Sequence, residues 1–130
     1  MNRRTIDDVL ADARLHLRRV EPPQAVEEMQ NGALLIDVRS DDQRDAFGSI
    51  PGALNIPLSV LEWRVDPESA HRDPAIGALD QRLMLICAHG YSSSLAARRL
   101  QEIGFVNATD VMGGFEAWKA AGLPVSTEAE

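Results

Sequence analysis

Cys87 is the only cysteine in the chain, and it closes the apolar run Leu83-Met84-Leu85-Ile86. After it come Ala88, His89, Gly90 and Tyr91, then three serines, Ser92, Ser93 and Ser94, that open the run Leu95-Ala96-Ala97-Arg98-Arg99-Leu100. A loop that curls from a strand straight into a helix turns its backbone N–H groups toward one point. The helix adds its free N–H groups and the positive end of its dipole. Both favour thiolate over thiol, and the thiolate is the attacking form. Gly90 relieves the steric cost of a tight curl, and the serine hydroxyls can cap the helix or donate into the loop. This pattern suits a nucleophilic sulfur that must carry a further anionic atom. A packing role fits as well, because free cysteine is among the most buried residue types. From the residues alone both readings stand.

The elements that must position this thiol alternate between apolar strands and amphipathic helices. Ile6, Val9, Leu10, Ala13 and Leu17 share one helical face, with Thr5 as N-cap, Asp7 and Asp8 at the positive end, and Arg14, Arg18 and Arg19 at the other. This predicts a first helix over about 5–18. A second follows in "EPPQAVEEMQNG", then a strand in "ALLIDV", with Asp37 near its end. "RSDDQRDAFGSIPGA" reads as a short helix closed by Gly48, with a turn at Pro51-Gly52. "ALNIP" is a short strand, "LSVLEWR" a helical turn, and "VDPESAHRDPAIGALDQ" a surface loop rich in Pro and Asp. "LMLIC" is the central strand, "SSLAARRLQEIG" a helix, "ATDVM" a last strand, and "GGFEAWKAAGLP" a final helix. Such alternation predicts one α/β domain over 1–130, with a mostly parallel sheet between two helical layers and loose tails at Met1–Arg4 and Ser126–Glu130.

Composition narrows the function. A net charge of −7 argues against general nucleic-acid binding, and the basic pairs Arg3-Arg4 and Arg18-Arg19 read as solvated helix ends. No apolar run spans a bilayer, and Asp7 and Asp8 stand where a secretion signal would be greasy, so no membrane association and a cytoplasmic location are expected. One cysteine fits a reducing compartment and leaves no Cys-x-x-Cys pair. His16, His71 and His89 lack metal-ligand spacing, so no metal site is expected.

Four motifs in register, Asp37-Val38-Arg39, Ile50-Pro51-Gly52-Ala53-x-Asn55-Ile56-Pro57, Cys87-x-x-Gly90 and Gly113-Gly114-Phe115-x-x-Trp118, resemble the single-domain rhodanese family over about residues 20–125. The resemblance implies a three-layer rhodanese-like fold with about five mostly parallel strands. It also implies a sulfurtransferase in which Cys87 takes sulfane sulfur from thiosulfate, a persulfide or a thiol donor and passes it to a nucleophilic acceptor, with no cofactor. Its partners would be a small sulfur-containing anion or thiol, and a protein donor or acceptor for a sulfur relay. A rhodanese-fold binding or regulatory module, or a protein-to-protein sulfur-relay module, with little or no thiosulfate turnover is the alternative.

Family members most active on thiosulfate often carry Arg or Lys in the loop; here Ala88, His89, Gly90, Tyr91, Ser92 and Ser93 supply no fixed cation. Protonated His89 is the nearest substitute, and an exposed loop role is its other reading. Gln43-Arg44 replaces the family's Glu-Phe, and Ser49 replaces its His. A cysteine phosphatase needs Arg six positions after Cys, and that position holds Ser93. Asp37 reads as a loop-bracing carboxylate. Arg39 braces the loop or pairs with Asp41 or Asp42, while Arg44 and Arg64 are candidates to line the mouth and attract an anion. Trp118 reads as core, Trp63 as core or pocket rim, and Tyr91 as a donor to bound anion or a cover for the loop.

Overall fold

The computed structural model describes residues 3–127. Thr5 opens the first helix, α1 (Ile6–Leu15), through a capping box in which Thr5 and Asp8 each accept from the other's backbone N–H. This holds the Asp8 carboxyl below its ordinary range, chiefly through the hydrogen bond from the Thr5 N–H. The helix ends short of the expected residue 18, and Leu17 packs against the core from beyond it. Then come α2 (Pro22–Gln30), β1 (Leu34–Asp37), α3 (Asp41–Phe47), β2 (Leu54–Asn55), a 3-10 turn at Leu58–Val60, α4 (Leu61–Val65), β3 (Leu83–Ile86), α5 (Ser92–Glu102), β4 (Thr109–Asp110) and α6 (Gly114–Ala120).

The four strands are parallel, in the order β2-β1-β3-β4. A fifth strand is reduced to one parallel bridge between Val20 and Val111, because Pro22 starts α2 two residues on. The central strands are buried on both faces, as their unbroken apolar runs require. Ile36, Leu83, Leu85 and Cys87 face a core completed by α4 and α5, and Leu35, Met84 and Ile86 face one completed by α2 and α6. The helix α1 packs along α5, outside the sheet layers.

Two loop expectations change. Ile76 is fully buried and anchors the long 65–81 connection in the core, so only part of it is surface. Ser126 pairs with Ser49 through two hydrogen bonds of 2.8 Å, so the tail is held at that point. Met1, Asn2 and 128–130 of the expected loose tails lie outside the described residues.

The chain order reverses between β1 and β3, whose ends lie level, Asp37 beside Ile86. In open parallel sheets the crevice beyond such a reversal is where ligands bind. On the β1 side the crevice is fixed by a buried ion pair. Asp37 Oδ2 accepts from Arg39 Nη2 at 2.8 Å, the same nitrogen donates to the Gly48 carbonyl at 2.9 Å, and the guanidinium carbon stands 3.8 Å from the centre of the Phe115 ring. Arg39 therefore pairs with neither Asp41 nor Asp42; it ties β1, the end of α3 and α6 together. Neutralising one member leaves a buried charge uncompensated. Asp37→Asn is expected to cost about 3–5 kcal/mol in urea unfolding. The double change Asp37→Leu with Arg39→Met should cost less than that single change; a larger loss from the double would show that the pair is stabilising beyond compensation.

Candidate active site

Cys87 lies at the end of β3, 5% exposed, with its Sγ accepting from the backbone N–H of Gly90 at 3.1 Å and of Ser93 at 3.4 Å. The loop keeps this curl because its carbonyls are held from outside. Phe115 N–H donates to the Cys87 carbonyl at 2.7 Å, and Glu116 N–H donates to that of Ala88 at 3.1 Å. Among the described residues, the N–H groups of Ala88, His89, Tyr91 and Ser92 have no protein acceptor. Close approach explains the glycines. A Cβ on Gly114 would stand 2.4 Å from the Cys87 carbonyl oxygen, and one on Gly90, whose φ is +85°, would stand 2.7 Å from Gly113 N.

Burial pushes the Cys87 thiol up, but the nearby Ser93 and Ser92 hydroxyls and the Ser93 and Gly90 N–H groups outweigh it and hold the thiol below its ordinary value. The serines do not cap α5, whose N-cap is Tyr91 with no side-chain bond. Instead Ser93 Oγ and Ser94 Oγ donate to Asp110 Oδ2 at 2.7 and 2.8 Å. Ser93 has one hydroxyl proton, so the carboxylate and the thiolate compete for it. Asp110 is fully buried at the end of β4 and also accepts from Arg19 Nε at 2.8 Å. Arg14 Nη2 and Arg19 Nη2 both donate to the Gly90 carbonyl, at 2.8 and 3.2 Å. Arg14 and Arg19 are thus docked on the loop, where a solvated helix end was expected for Arg19 and only a dipole contact for Arg14.

A cleft of about 460 Å³ opens in front of the loop, lined by Cys87, Ala88, His89, Tyr91 and Ser92 on one side and by Val38, Arg39, Ser40, Gln43, Pro57, Leu58 and Ser59 on the other. The predicted loop residues therefore converge, with Gly90 and Ser93 beneath the sulfur and Asp37 behind Arg39. Arg44 and Arg64 do not join them. Arg44 is buried against the Arg39 carbonyl and paired with Asp41, bordering a separate polar hollow. Arg64 pairs with Asp73 at 3.0 Å in the long connection. Trp118 is core, its Nε1 donating to the Pro124 carbonyl, whereas Trp63 is 59% exposed and lines no part of the cleft. Both basic side chains of the cleft have carboxylate partners: Arg39 has Asp37, and His89 Nδ1 lies 2.7 Å from Glu116 Oε2. Sequence reading passed over Asp110, Arg14 and Arg19. An acid in the predicted strand "ATDVM" was the one available signal, since the arginine contacts span more than seventy residues.

A family model, the Rhodanese-like domain, matches residues 21–121. The thiosulfate sulfurtransferase GlpE of Haemophilus influenzae (strain PittEE) is 32% identical over 114 residues, covering 87% of this chain and 98% of the relative. The thiosulfate sulfurtransferase GlpE of Ectopseudomonas mendocina is 37% identical over 103 residues, covering 79% and 85%. Among solved structures, a protein of unknown function from Rhodopseudomonas palustris CGA009, named a possible tyrosine phosphatase, matches with a TM-score of 0.86 at 28% identity over 97% of both chains.

The sulfur's surroundings set a pH dependence. Alkylation of the single cysteine by iodoacetamide should reach half its limiting rate at a pH below the ordinary thiol value of about 8.5, and Gly90→Ala should move that midpoint upward. A midpoint at or above the free-thiol value in the unaltered protein would contradict the hydrogen-bond geometry.

Proposed function

The chain belongs to the rhodanese-like domain family, and from that premise we propose that it is a sulfurtransferase carrying sulfane sulfur as a persulfide on Cys87. The observation that carries the reading is the pair of N–H groups on Cys87 Sγ, with four further N–H groups of the same loop left without a protein acceptor. The Cys87 thiolate attacks the outer sulfur of a donor such as thiosulfate. A new S–S bond forms, the donor's S–S bond breaks, and sulfite departs with the bonding pair. The terminal sulfur of the persulfide is anionic, and the free loop N–H groups suit it. Cyanide or a thiolate then attacks that terminal sulfur, and Cys87 leaves as thiolate. Electrons balance within each step, so the cycle needs neither metal nor organic cofactor.

The cleft supports a second reading of the donor. Among the described residues it offers an anion no basic side chain free of a carboxylate, and Pro57, Leu58 and Tyr91 give it apolar walls. This favours a neutral sulfane donor or a protein-bound persulfide over thiosulfate, a relay between proteins rather than turnover of a small anion. Phosphatase chemistry fits poorly. Ser93 holds the position where a phosphate-gripping Arg would stand, and it binds a carboxylate. Among the described residues no helix is long and apolar enough to cross a membrane, and a lone cysteine suits the reducing cytoplasm in which we place the protein.

After incubation with thiosulfate or an alkyl persulfide, mass spectrometry should find one added sulfur on the wild type and none on Cys87→Ala; equal masses would end the transferase reading. Ser92→Arg removes a hydroxyl that favours the thiolate for every donor, but it should raise the ratio of kcat/KM for thiosulfate to that for a neutral donor by about tenfold, the worth of one charge-assisted hydrogen bond. Equal changes with both donors would show that cleft charge does not govern donor choice.

A further inference from the structure

The loop's sequence lacks a cation, yet two guanidinium groups lie directly behind it. Arg14 comes from α1 and Arg19 from the segment that leads to Val20, both ahead of the span matched by the family model. Arg14 donates through Nη2 to the Gly90 carbonyl at 2.8 Å and through Nε to Ser94 Oγ at 3.1 Å. Arg19 grips both oxygens of Asp110, at 2.8 and 3.2 Å, and reaches the same carbonyl at 3.2 Å. Ser93 and Ser94 close the cluster by donating to Asp110.

Two consequences follow from charge and geometry. Two guanidinium charges meet one buried carboxylate, so the cluster presents one net positive charge to the underside of the cysteine loop. In a trans peptide the carbonyl and the next N–H point in opposite directions. Pinning the Gly90 carbonyl backward therefore turns the Tyr91 N–H away from the arginines, among the other unpaired N–H groups of the loop.

We propose that Arg14 and Arg19 are positioning residues of the sulfur-carrying loop, fixing the Gly90–Tyr91 peptide and supplying from behind the positive charge that the loop itself lacks. This rests on the reading of Cys87 as the sulfur carrier. The segment ahead of residue 21 is then a working part of the site. Because the loop stands between the arginines and the cleft, they stabilise the thiolate and the persulfide but make no contact with the donor. Their loss should act alike on every donor.

The test compares Arg14→Gln, Arg14→Lys and Arg19→Gln with Arg18→Gln, an exposed neighbour serving as control. The first readout is the pH midpoint of Cys87 alkylation, which is independent of turnover. Arg14→Gln and Arg19→Gln should each raise it by about one unit, a tenfold loss of thiolate, with Arg14→Lys intermediate and Arg18→Gln unchanged. The second readout is kcat/KM, which should fall about tenfold with thiosulfate and with an alkyl persulfide alike. Should Arg19→Gln fail to fold, because buried Asp110 loses its counter-charge, Arg14→Gln carries the test, since it removes one positive charge and leaves the Arg19–Asp110 pair intact. Midpoints that stay in place in folded variants overturn the proposal, as does a loss confined to the KM for thiosulfate, which would make the arginines donor ligands. A midpoint that rises in a protein that takes up no sulfur supports the positioning role while removing the transferase reading.

Discussion

Two N–H groups can be held on one buried sulfur only if the backbone carrying them cannot relax. In the Cys87–Ser93 loop that constraint is met by hydrogen bonds to carbonyls on its outer side. Phe115 and Glu116, at the start of α6, take the carbonyls of Cys87 and Ala88, and Arg14 and Arg19 take that of Gly90. A peptide unit is planar, so these carbonyls fix the N–H groups of Ala88, His89 and Tyr91 on their far side, and the Gly90 and Ser93 N–H groups on the sulfur are held by the peptide units that adjoin them. The inward convergence of donors is thus set by α6 and the N-terminal segment as much as by the loop's own residues. Gly90 and Gly114 belong to the same constraint, since only a bare backbone on each side lets α6 come near enough to donate.

This arrangement explains why the sheet must be parallel and why the site lies where it does. Parallel strands bring their carboxyl ends to one edge, and the reversal between β1 and β3 opens a crevice there. β3 delivers the cysteine, β4 delivers Asp110 behind it, and β1 delivers the Asp37–Arg39 pair that holds the opposite wall to α6. A shift in α6 would move both the loop carbonyl contacts and the ring under Arg39. The wall and the loop are therefore mechanically linked through one short helix.

Much of this was legible because it is local. Unbroken apolar runs marked β1 and β3, and Gly90 with the serines marked the curl after Cys87. The partner of Arg39 was legible in principle, since Asp37 lies two residues earlier and so on the same side of an extended chain. What misled was similarity of type. Arg14, Arg19, Arg44 and Arg64 look alike in sequence, and sequence reading sent the wrong pair to the site. Arg44 is drawn away by Asp41 on its own helix and Arg64 by Asp73 nearby, whereas Arg14 and Arg19 find partners only once α1 docks on α5 and Val20 joins β4. The serines misled for the same reason. At a helix start they read as caps, but the buried carboxylate of Asp110 is a stronger acceptor for their protons than any use at the helix end.

The division of charge between the two sides of the loop bears on how such a site is tuned. A cation in the loop would act on both the cysteine and the incoming donor, so activation and donor choice would be coupled. Here the positive charge stands behind the loop, and the cleft in front offers only bases already matched by carboxylates. Coulomb attraction through a few ångströms of protein still reaches a buried sulfur, while water in the open cleft screens it from a donor outside. The sulfur can thus be activated without committing the cleft to an anion. The chain's net charge of −7 works in the same direction, opposing the approach of a small dianion more than that of a singly charged or neutral sulfur donor.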